Sequence, residues 1–361
     1  MYLIITRTFP PDIGGMQNLM WGLAKSLAKL DMVKVFADYH ENHKKFDEKV
    51  SFTIKRISGL KLIRKYRKSF LINEYLKENK NVKCIIADHW KSLELISSKK
   101  KKICLIHSKE INHNIGSKNN TKLLKILNNI DYVVANSQFT KNLAIEKGVE
   151  ENKIVVINPG VDPANEIPKE DIKQAEEILK GKEQKLITVS RYDKRKNHEK
   201  VIMALRNLKE KFPNIVYTCI GYGDEEQNLK KLVIELNLEK HVVFLNDISN
   251  ELKNALITKS DVFIMPSIIY KSSVEGFGIS FIEAAKYGIP SIGGKDGGAS
   301  DAIEHDKSGL ICDGNSLDEI YSSICLMFEN NKHLEYGRNA KEKVPKFYWS
   351  NIIDQYSKIL N

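Results

Sequence analysis

The stretch Val274-Glu275-Gly276-Phe277-Gly278-Ile279-Ser280-Phe281-Ile282-Glu283 is the most informative part of this chain. It places two carboxylates eight residues apart around a glycine turn. An apolar strand is predicted just before it, at 261–266, and a helix over 281–287. In an open α/β sheet, such a strand–loop–helix unit is where a ligand usually binds. Backbone N–H groups at the helix start favour an anion, and Glu283 is placed to accept two hydrogen bonds from a ribose diol.

Length and composition are typical of a globular protein with two domains. The chain has 361 residues, of which 42% are hydrophobic, and this is enough for two substantial cores. The apolar run at 1–7 is too short for a signal peptide, and no later run approaches membrane-spanning length. The five cysteines are widely spaced with no Cys-x-x-Cys pair, which is typical of reduced, buried thiols. We therefore expect a cytoplasmic protein.

The net charge of +11 is concentrated in the first half of the chain. Residues 1–165 hold 29 lysines and arginines against 16 acidic residues, whereas the remainder holds 28 against 30. A uniformly basic protein would not show this difference. The two halves are therefore expected to meet different partners.

Short apolar runs alternate with helical periodicity along the whole chain. This alternation predicts parallel sheets with helices on both faces, in two Rossmann-like halves. The predicted strands are 2–6, 33–37, 84–87, 103–107, 132–135 and 154–157 in the first half, and 186–190, 216–220, 242–245, 262–266, 291–293 and 309–312 in the second.

A cationic loop, Arg191-Tyr192-Asp193-Lys194-Arg195-Lys196, follows the predicted strand 186–190. Four cations at a βα turn would neutralise a diphosphate, and arginine adds a bidentate fork that lysine lacks. The alternative is a solvated basic loop. Its position directly after a strand favours phosphate binding.

Three other strand ends carry candidate residues. The first strand runs into a loop with two prolines and the pair Gly14-Gly15, where backbone amides can approach a ligand closely. His107 ends another strand, and His89 is its rival as a catalytic imidazole. A lone histidine is more often structural, so both interpretations of each remain open.

Cofactor and metal sites are not expected. The turn Gly221-Tyr222-Gly223 lacks the third glycine of a dinucleotide fingerprint. No two aspartates stand one residue apart, and the histidines have no metal-ligand spacing.

Taken in order, these motifs resemble the retaining GT-B glycosyltransferases of the glycogen-synthase-like group 1 family, also called family four. The resemblance covers essentially the whole chain. The matching pieces are Phe9-Pro-Pro-x-x-Gly-Gly15, His107, Asn158-Pro-Gly-Val-Asp162, Arg191 with Lys196, Gly221-x-Gly223, Pro266-Ser267, Glu275-x7-Glu283 and Gly297-Gly298.

The resemblance implies a role for each matching residue. Arg191 and Lys196 would bind the donor diphosphate and stabilise it as the leaving group. Glu283 would hold the ribose, and Glu275 would lie near the transferred sugar. The remaining implied donor contacts come from Gly15, Gly223 and the backbone at Phe277, Gly278 and Ile279. His107 would be catalytic, positioning the donor sugar and stabilising its developing positive charge through its backbone or ring.

The resemblance also implies an architecture and a mechanism. Residues 1–163 would form an acceptor-binding domain and 164–345 a nucleotide-sugar-binding domain, facing each other across a deep cleft. Residues 346–361 would form a helix that crosses back to the first domain. Transfer would retain the anomeric configuration by front-face departure and attack, without a metal or other cofactor.

The acceptor is suggested by a basic segment at 55–68, which holds seven cations and no acid. Its apolar residues Leu60, Ile63, Tyr66 and Phe70 are predicted to share one helix face. Such a helix binds anionic membrane surfaces, and the cations expected to do so are Lys61, Arg64, Lys65, Arg67 and Lys68.

A hexose transfer to a lipid at the inner face of the cytoplasmic membrane is therefore the preferred hypothesis, nearest to the phosphatidylinositol mannosyltransferases. The alternatives are a soluble or undecaprenyl-linked saccharide acceptor, and a basic face that is merely solvated. A nucleic-acid-binding protein is a remote alternative, because it leaves the second half unexplained. The sequence leaves UDP against GDP, and the identity of the sugar, open.

Overall fold

The computed structural model describes residues 1–12 and 14–360. The chain divides into two compact units. The N-terminal unit comprises Met1–Asp162 together with Lys346–Asn361, and the C-terminal unit comprises Pro163–Pro345.

The N-terminal unit is built on a seven-stranded sheet in which every strand pair is parallel, in the order β3-β2-β1-β4-β5-β6-β7. Its strands β1–β7 are Tyr2–Ile5, Val33–Asp38, Thr53–Ile57, Cys84–Ala87, Lys101–Ile106, Tyr132–Ala135 and Ile154–Val156. Its first helices, α1–α5, are Gly15–Ala28, His43–Asp47, Lys61–Glu78, Lys118–Leu127 and Gln138–Glu146.

The C-terminal unit has a six-stranded parallel sheet, in the order β10-β9-β8-β11-β12-β13. Its strands β8–β13 are Lys185–Val189, Val216–Ile220, Val242–Leu245, Val262–Met265, Ser291–Gly294 and Gly309–Cys312. Its helices α6–α13 are Lys169–Ile178, His198–Lys211, Glu226–Glu235, Asn250–Thr258, Ile279–Ala285, Ala299–Ala302, Leu317–Phe328 and Lys332–Lys343.

The last helix, α14 (Trp349–Leu360), packs with the N-terminal unit. The Trp349 ring lies against Gly22 of α1 and against Gly160, where any side chain would collide with it. The buried face of α14 joins the core formed by α1 and strands β1, β2 and β4. Burial of this apolar face is what attaches the end of the chain to its beginning.

The predicted two Rossmann-like sheets are confirmed. The central strands are buried on both faces, with exposures near zero in β1, β4, β9 and β11, and this is why they appear in the sequence as continuous apolar runs. All five cysteines are free and buried.

Strand β3 was not predicted, because the sequence analysis placed residues 55–57 in a basic helix. The segment instead forms an edge strand paired with β2. Its second cation, Arg56, is buried in an ion pair with Asp47, so this charge is not part of the helix surface.

In the described part of the chain, no helix is both long enough and apolar enough to cross a membrane.

Candidate active site

Two loops meet where the strand order of the C-terminal sheet reverses. Strand β8 pairs with β9 on one side and with β11 on the other, so the loops that follow β8 and β11 leave the same sheet edge in opposite directions. The first loop contains a short 3-10 turn, Lys194–Lys196. The second carries Glu275. Such a switch point is the usual ligand site of a doubly wound sheet.

Glu275 is the centre of a buried cluster of charges. Lys196 Nζ donates to Glu275 Oε2 at 2.5 Å, and Arg195 Nη1 donates to the same oxygen. The side chains of all three residues are at most 13% exposed. Because two cations surround one carboxylate, the cluster keeps an excess positive charge.

The burial and the charges of the cluster have opposite effects on its pKa values. Burial alone raises the pKa of Glu275, but the charges of Lys196 and Arg195 outweigh it and lower the pKa to about 2. Burial lowers the pKa of Lys196, and the Glu275 carboxylate opposes that change. Glu275 is therefore an anion at neutral pH.

The turn before α7 is held by a buried asparagine. Asn197 has a left-handed backbone conformation, with φ of 64°, and is 4% exposed. Its Nδ2 donates to the carbonyl of Pro266 at 2.9 Å and to that of Gly314 at 2.7 Å. These bonds connect the Lys196 turn to the ends of β11 and β13.

A buried histidine anchors the same turn from the other side. The ring of His198 lies 3.0 Å from Ser190 Oγ and 2.8 Å from the Tyr217 hydroxyl. Burial, with a smaller effect of Lys196, lowers the pKa of His198 to about 3. The imidazole is therefore neutral and serves as a structural connection between β8 and β9.

The Glu275 loop is fixed by three glycines. Gly297 has a φ of 111°, and a Cβ on it would lie 2.3 Å from the Glu275 carbonyl. The N–H of Gly298 donates to that carbonyl at 2.9 Å. Gly278 ends the loop in the left-handed region at the start of α10, where a Cβ would collide with Phe281. These positions explain the two glycine motifs of the sequence.

The structure brings some of the predicted donor residues together. Lys196 and Glu275 are in contact, and Phe277, Gly278 and Ile279 form the entry to α10 beside them. The Phe277 ring is buried, so this residue offers its backbone. Glu283 lies one turn into α10 and is half-buried.

Two other predicted residues lie nearby but outside the charge cluster. Arg191 is 66% exposed and pairs with Asp193 at 3.2 Å, and the same aspartate accepts from the N–H of Lys196. Gly223 lies in the turn after β9, against the backbone of Tyr192. Arg195 was not singled out by the sequence analysis, and its only signal there is its place beside Lys196.

The candidates in the N-terminal unit also follow strand ends. Gly15 is the first residue of α1. His107 follows β5, and its backbone N–H donates to the Glu110 carboxylate. Burial lowers the pKa of His107 to about 4, although Asp88 opposes it. His89, the other candidate for a catalytic imidazole, is buried beside Trp90. Burial lowers its pKa to about 2. Both rings are neutral at physiological pH.

Helix α3 presents the predicted apolar face to the surface. Leu60, which precedes the helix, and Ile63, Tyr66 and Phe70 within it are between 55% and 76% exposed. Arg67 is exposed beside them and donates to the Ser58 carbonyl at 3.2 Å. Apolar side chains exposed in one row are unusual on a monomer surface and are typical of interaction sites.

The remaining cations of α3 differ from one another. Lys68 is buried, and its ammonium donates to Asp38 and, at 2.8 Å, to the Thr6 carbonyl. The prediction that Lys68 contacts a membrane is therefore wrong, because the helix turns this side chain toward the sheet. Arg64 also pairs with Asp38, Lys65 pairs with Glu94, and the Lys61 side chain lies outside the described residues.

Within residues 1–12 and 14–360, no three His, Cys, Asp or Glu side chains are grouped so that they could hold a metal ion.

Two parallel-sheet units with a cationic loop and a glutamate loop at the switch point are the architecture of a GT-B glycosyltransferase. The glycosyl transferases group 1 profile matches residues 169–344, and the Glycosyltransferase Family 4 profile matches residues 13–165. The chain belongs to the group 1 GT-B glycosyltransferases.

Known relatives and solved structures agree with this assignment. The chain is 25% identical, over 89% of its length and 87% of the relative, to the GDP-mannose-dependent alpha-(1-6)-phosphatidylinositol monomannoside mannosyltransferase of Mycolicibacterium smegmatis. The fold is similar to that of Anabaena HepE, crystallised with UDP-glucose, with a TM-score of 0.82, 20% identity and coverage of 100% and 99% of the two chains. It is also similar to sucrose-phosphate synthase of Thermosynechococcus elongatus, with a TM-score of 0.82, 20% identity and coverage of 99% and 98%.

Proposed function

We propose that this glycosyltransferase moves a hexose from a GDP- or UDP-linked donor to a lipid acceptor at an anionic membrane surface, with retention and without a metal. The observation that carries the donor half is the buried Lys196–Glu275–Arg195 cluster at the switch point. The mycobacterial relative, described as GDP-mannose-dependent and acting on a phosphatidylinositol monomannoside, supports this choice of substrates.

The donor diphosphate would be neutralised by Lys196 and Arg191. A lysine has three N–H donors. Among the described residues, Glu275 and the Met265 sulfur take two of those of Lys196, so one remains for a phosphate oxygen. Arg191 is exposed at the start of the same loop and adds a planar fork. Two fixed cations next to a departing diphosphate stabilise the charge that develops on it.

Retention would follow from front-face attack. The acceptor hydroxyl attacks the anomeric carbon on the side that the diphosphate leaves, and the phosphate oxygen takes the hydroxyl proton. No covalent nucleophile is then required. Glu275 suits a positioning role better than a nucleophilic one, because two cations already hold its charge. Glu283 would accept hydrogen bonds from the ribose.

The acceptor half rests on the exposed apolar row of α3. Transferring such side chains out of water is worth up to about 1.5–3 kcal/mol each, and a cation near an anionic surface adds about 1 kcal/mol. Arg67 supplies such a cation beside the row. The excess of basic residues in the first half of the chain supports an anionic membrane as the surface that this row meets.

The donor is tested by thermal shift of the purified protein with UDP, GDP, UDP-glucose and GDP-mannose in the presence of EDTA. A ligand that binds only the native state raises the melting temperature. We expect a shift with one nucleotide series. No shift with any of the four, with or without Mg²⁺, would refute the donor site, and a shift that needs Mg²⁺ would refute metal independence.

The membrane surface is tested by flotation with vesicles of phosphatidylcholine, alone or mixed with phosphatidylinositol. We expect binding to the mixed vesicles only, and its loss in Phe70→Ser. Ile234→Ser is the matched control, because Ile234 is equally exposed on α8. Equal binding by both variants would contradict the assignment. Transfer of labelled hexose to a water-soluble saccharide and not to lipid extract would favour the alternative acceptor.

A further inference from the structure

Arg195 is buried with Lys196, unlike Arg191 and Lys194, the two exposed cations of its loop. Arg191 is exposed and Lys194 lies at the surface, where a phosphate can reach them. Arg195 is buried, its side chain being only 10% exposed. Its guanidinium donates to Glu275 and lies 3.9 Å from Asp193. Its burial against two carboxylates makes it less accessible to a diphosphate than Arg191 and Lys194 are.

The two bonds to Glu275 leave its oxygens unequal. Lys196 Nζ and Arg195 Nη1 both donate to Oε2, and Oε1 takes part in neither bond. The backbone of the arginine is also fixed, since the Arg195 carbonyl accepts from the N–H of Ile268 at 2.9 Å. The Glu275 loop is fixed in turn by Gly298. The orientation of the carboxylate is thus set by the arginine together with Lys196, and not by its own backbone alone.

We propose that Arg195 is a positioning residue, which holds Oε2 of Glu275 so that Oε1 accepts a hydrogen bond from a hydroxyl group of the transferred sugar. This inference rests on the proposed function. Arg195 then acts on the sugar and not on the nucleotide. The charge of the cluster agrees with such a role, because a second cation keeps the buried carboxylate ionised and a strong acceptor.

The test compares Arg195→Gln, Arg195→Lys and Arg206→Gln. Arg206 is an exposed residue of α7 and serves as the matched control. We expect Arg195→Gln to lower kcat/KM for UDP-glucose or GDP-mannose by about 10- to 100-fold, the range for a hydrogen bond to a charged group. The affinity for plain UDP or GDP, measured by calorimetry, should change less than about twofold. Arg195→Lys should recover part of the loss.

A double-mutant cycle separates action through Glu275 from direct contact with the donor. If Arg195 acts through Glu275, adding Arg195→Gln to Glu275→Gln lowers kcat/KM no further. Multiplying losses, or a fall in UDP or GDP affinity as large as the fall in kcat/KM, would overturn the proposal. If Arg195→Gln does not fold, Arg195→Lys is compared in the two backgrounds with the same expectation.

Failure of the proposed function itself would look different. Unmodified protein that binds neither UDP nor GDP would overturn the donor site and this role with it. Unmodified protein that binds one of them and transfers its sugar, while the losses multiply, would overturn the role of Arg195 alone.

Discussion

Replacing Asn197 with alanine should destabilise the C-terminal unit strongly, although Asn197 touches no predicted substrate. The change removes two hydrogen bonds to the buried carbonyls of Pro266 and Gly314. A buried acceptor left without a donor costs about 1–3 kcal/mol, and alanine in the left-handed region adds about 1 kcal/mol. The free energy of unfolding should therefore fall by at least about 3 kcal/mol.

The measurement is the melting temperature of the transition that nucleotide raises. For a unit of this size, about 3 kcal/mol corresponds to roughly 6–12 °C. Asn237→Ala is the control, because Asn237 also has a left-handed backbone, with φ of 53°, but is exposed. That variant should lose only the backbone contribution of about 1 kcal/mol. Equal losses in both variants would refute the reasoning, since the two carbonyl bonds would then contribute nothing.

Three further predictions follow from the site and from α3. Glu283→Ala should lower hexose transfer by orders of magnitude and leave the melting temperature within about 2 °C, because the side chain is half-buried on a short helix; near-normal turnover would remove it from the site. Arg67→Glu should weaken flotation with anionic vesicles and leave stability unchanged, whereas Lys68→Met should lower stability because it breaks a buried ion pair. Loss of stability in Arg67→Glu and of flotation in Lys68→Met would contradict the burial of the lysine. The stability that the Glu275 carboxylate contributes is complete above its unfolded pKa of 4.5 and is lost as the pH falls from there to about 2. The difference in melting temperature between wild type and Glu275→Gln should therefore stay constant from pH 5 to 7 and shrink below that range. A change within pH 5–7 would mean that the folded pKa of Glu275 is not lowered.

The sheets could be predicted from the sequence because parallel strands covered by helices on both faces are almost wholly apolar. Strand β3 lacks this property. It lies at the sheet edge, its sequence is Thr-Ile-Lys-Arg-Ile, and its two cations merge with the charges of α3. The pairing with β2 and the ion pair between Arg56 and Asp47 separate the two elements, and contacts of this kind have no local signature.

The site could be predicted in part, because some of its residues occur in local sequence motifs and others do not. Lys196 and Glu275 each occur in a recognisable local motif. Arg195 does not, because its partner is 80 residues away, and nothing near it in sequence distinguishes a buried cation from an exposed one. Lys68 is the converse case, since helical periodicity placed it among surface cations while Asp38 and the Thr6 carbonyl hold it inside.

The buried Lys68 ammonium would also set a geometric limit on the proposed lipid acceptor. It connects α3 to Thr6 at the end of β1, and the Thr6 hydroxyl connects in turn to Asp88 after β4, beside the strand that ends before His107. The helix that would rest on the bilayer and the sheet edge that would meet the acceptor are therefore directly connected. If α3 rests on a bilayer as proposed, this connection would hold the sheet edge at a fixed height above the lipid surface. On the proposed function, only a headgroup whose hydroxyl lies at that height would then reach the sheet edge.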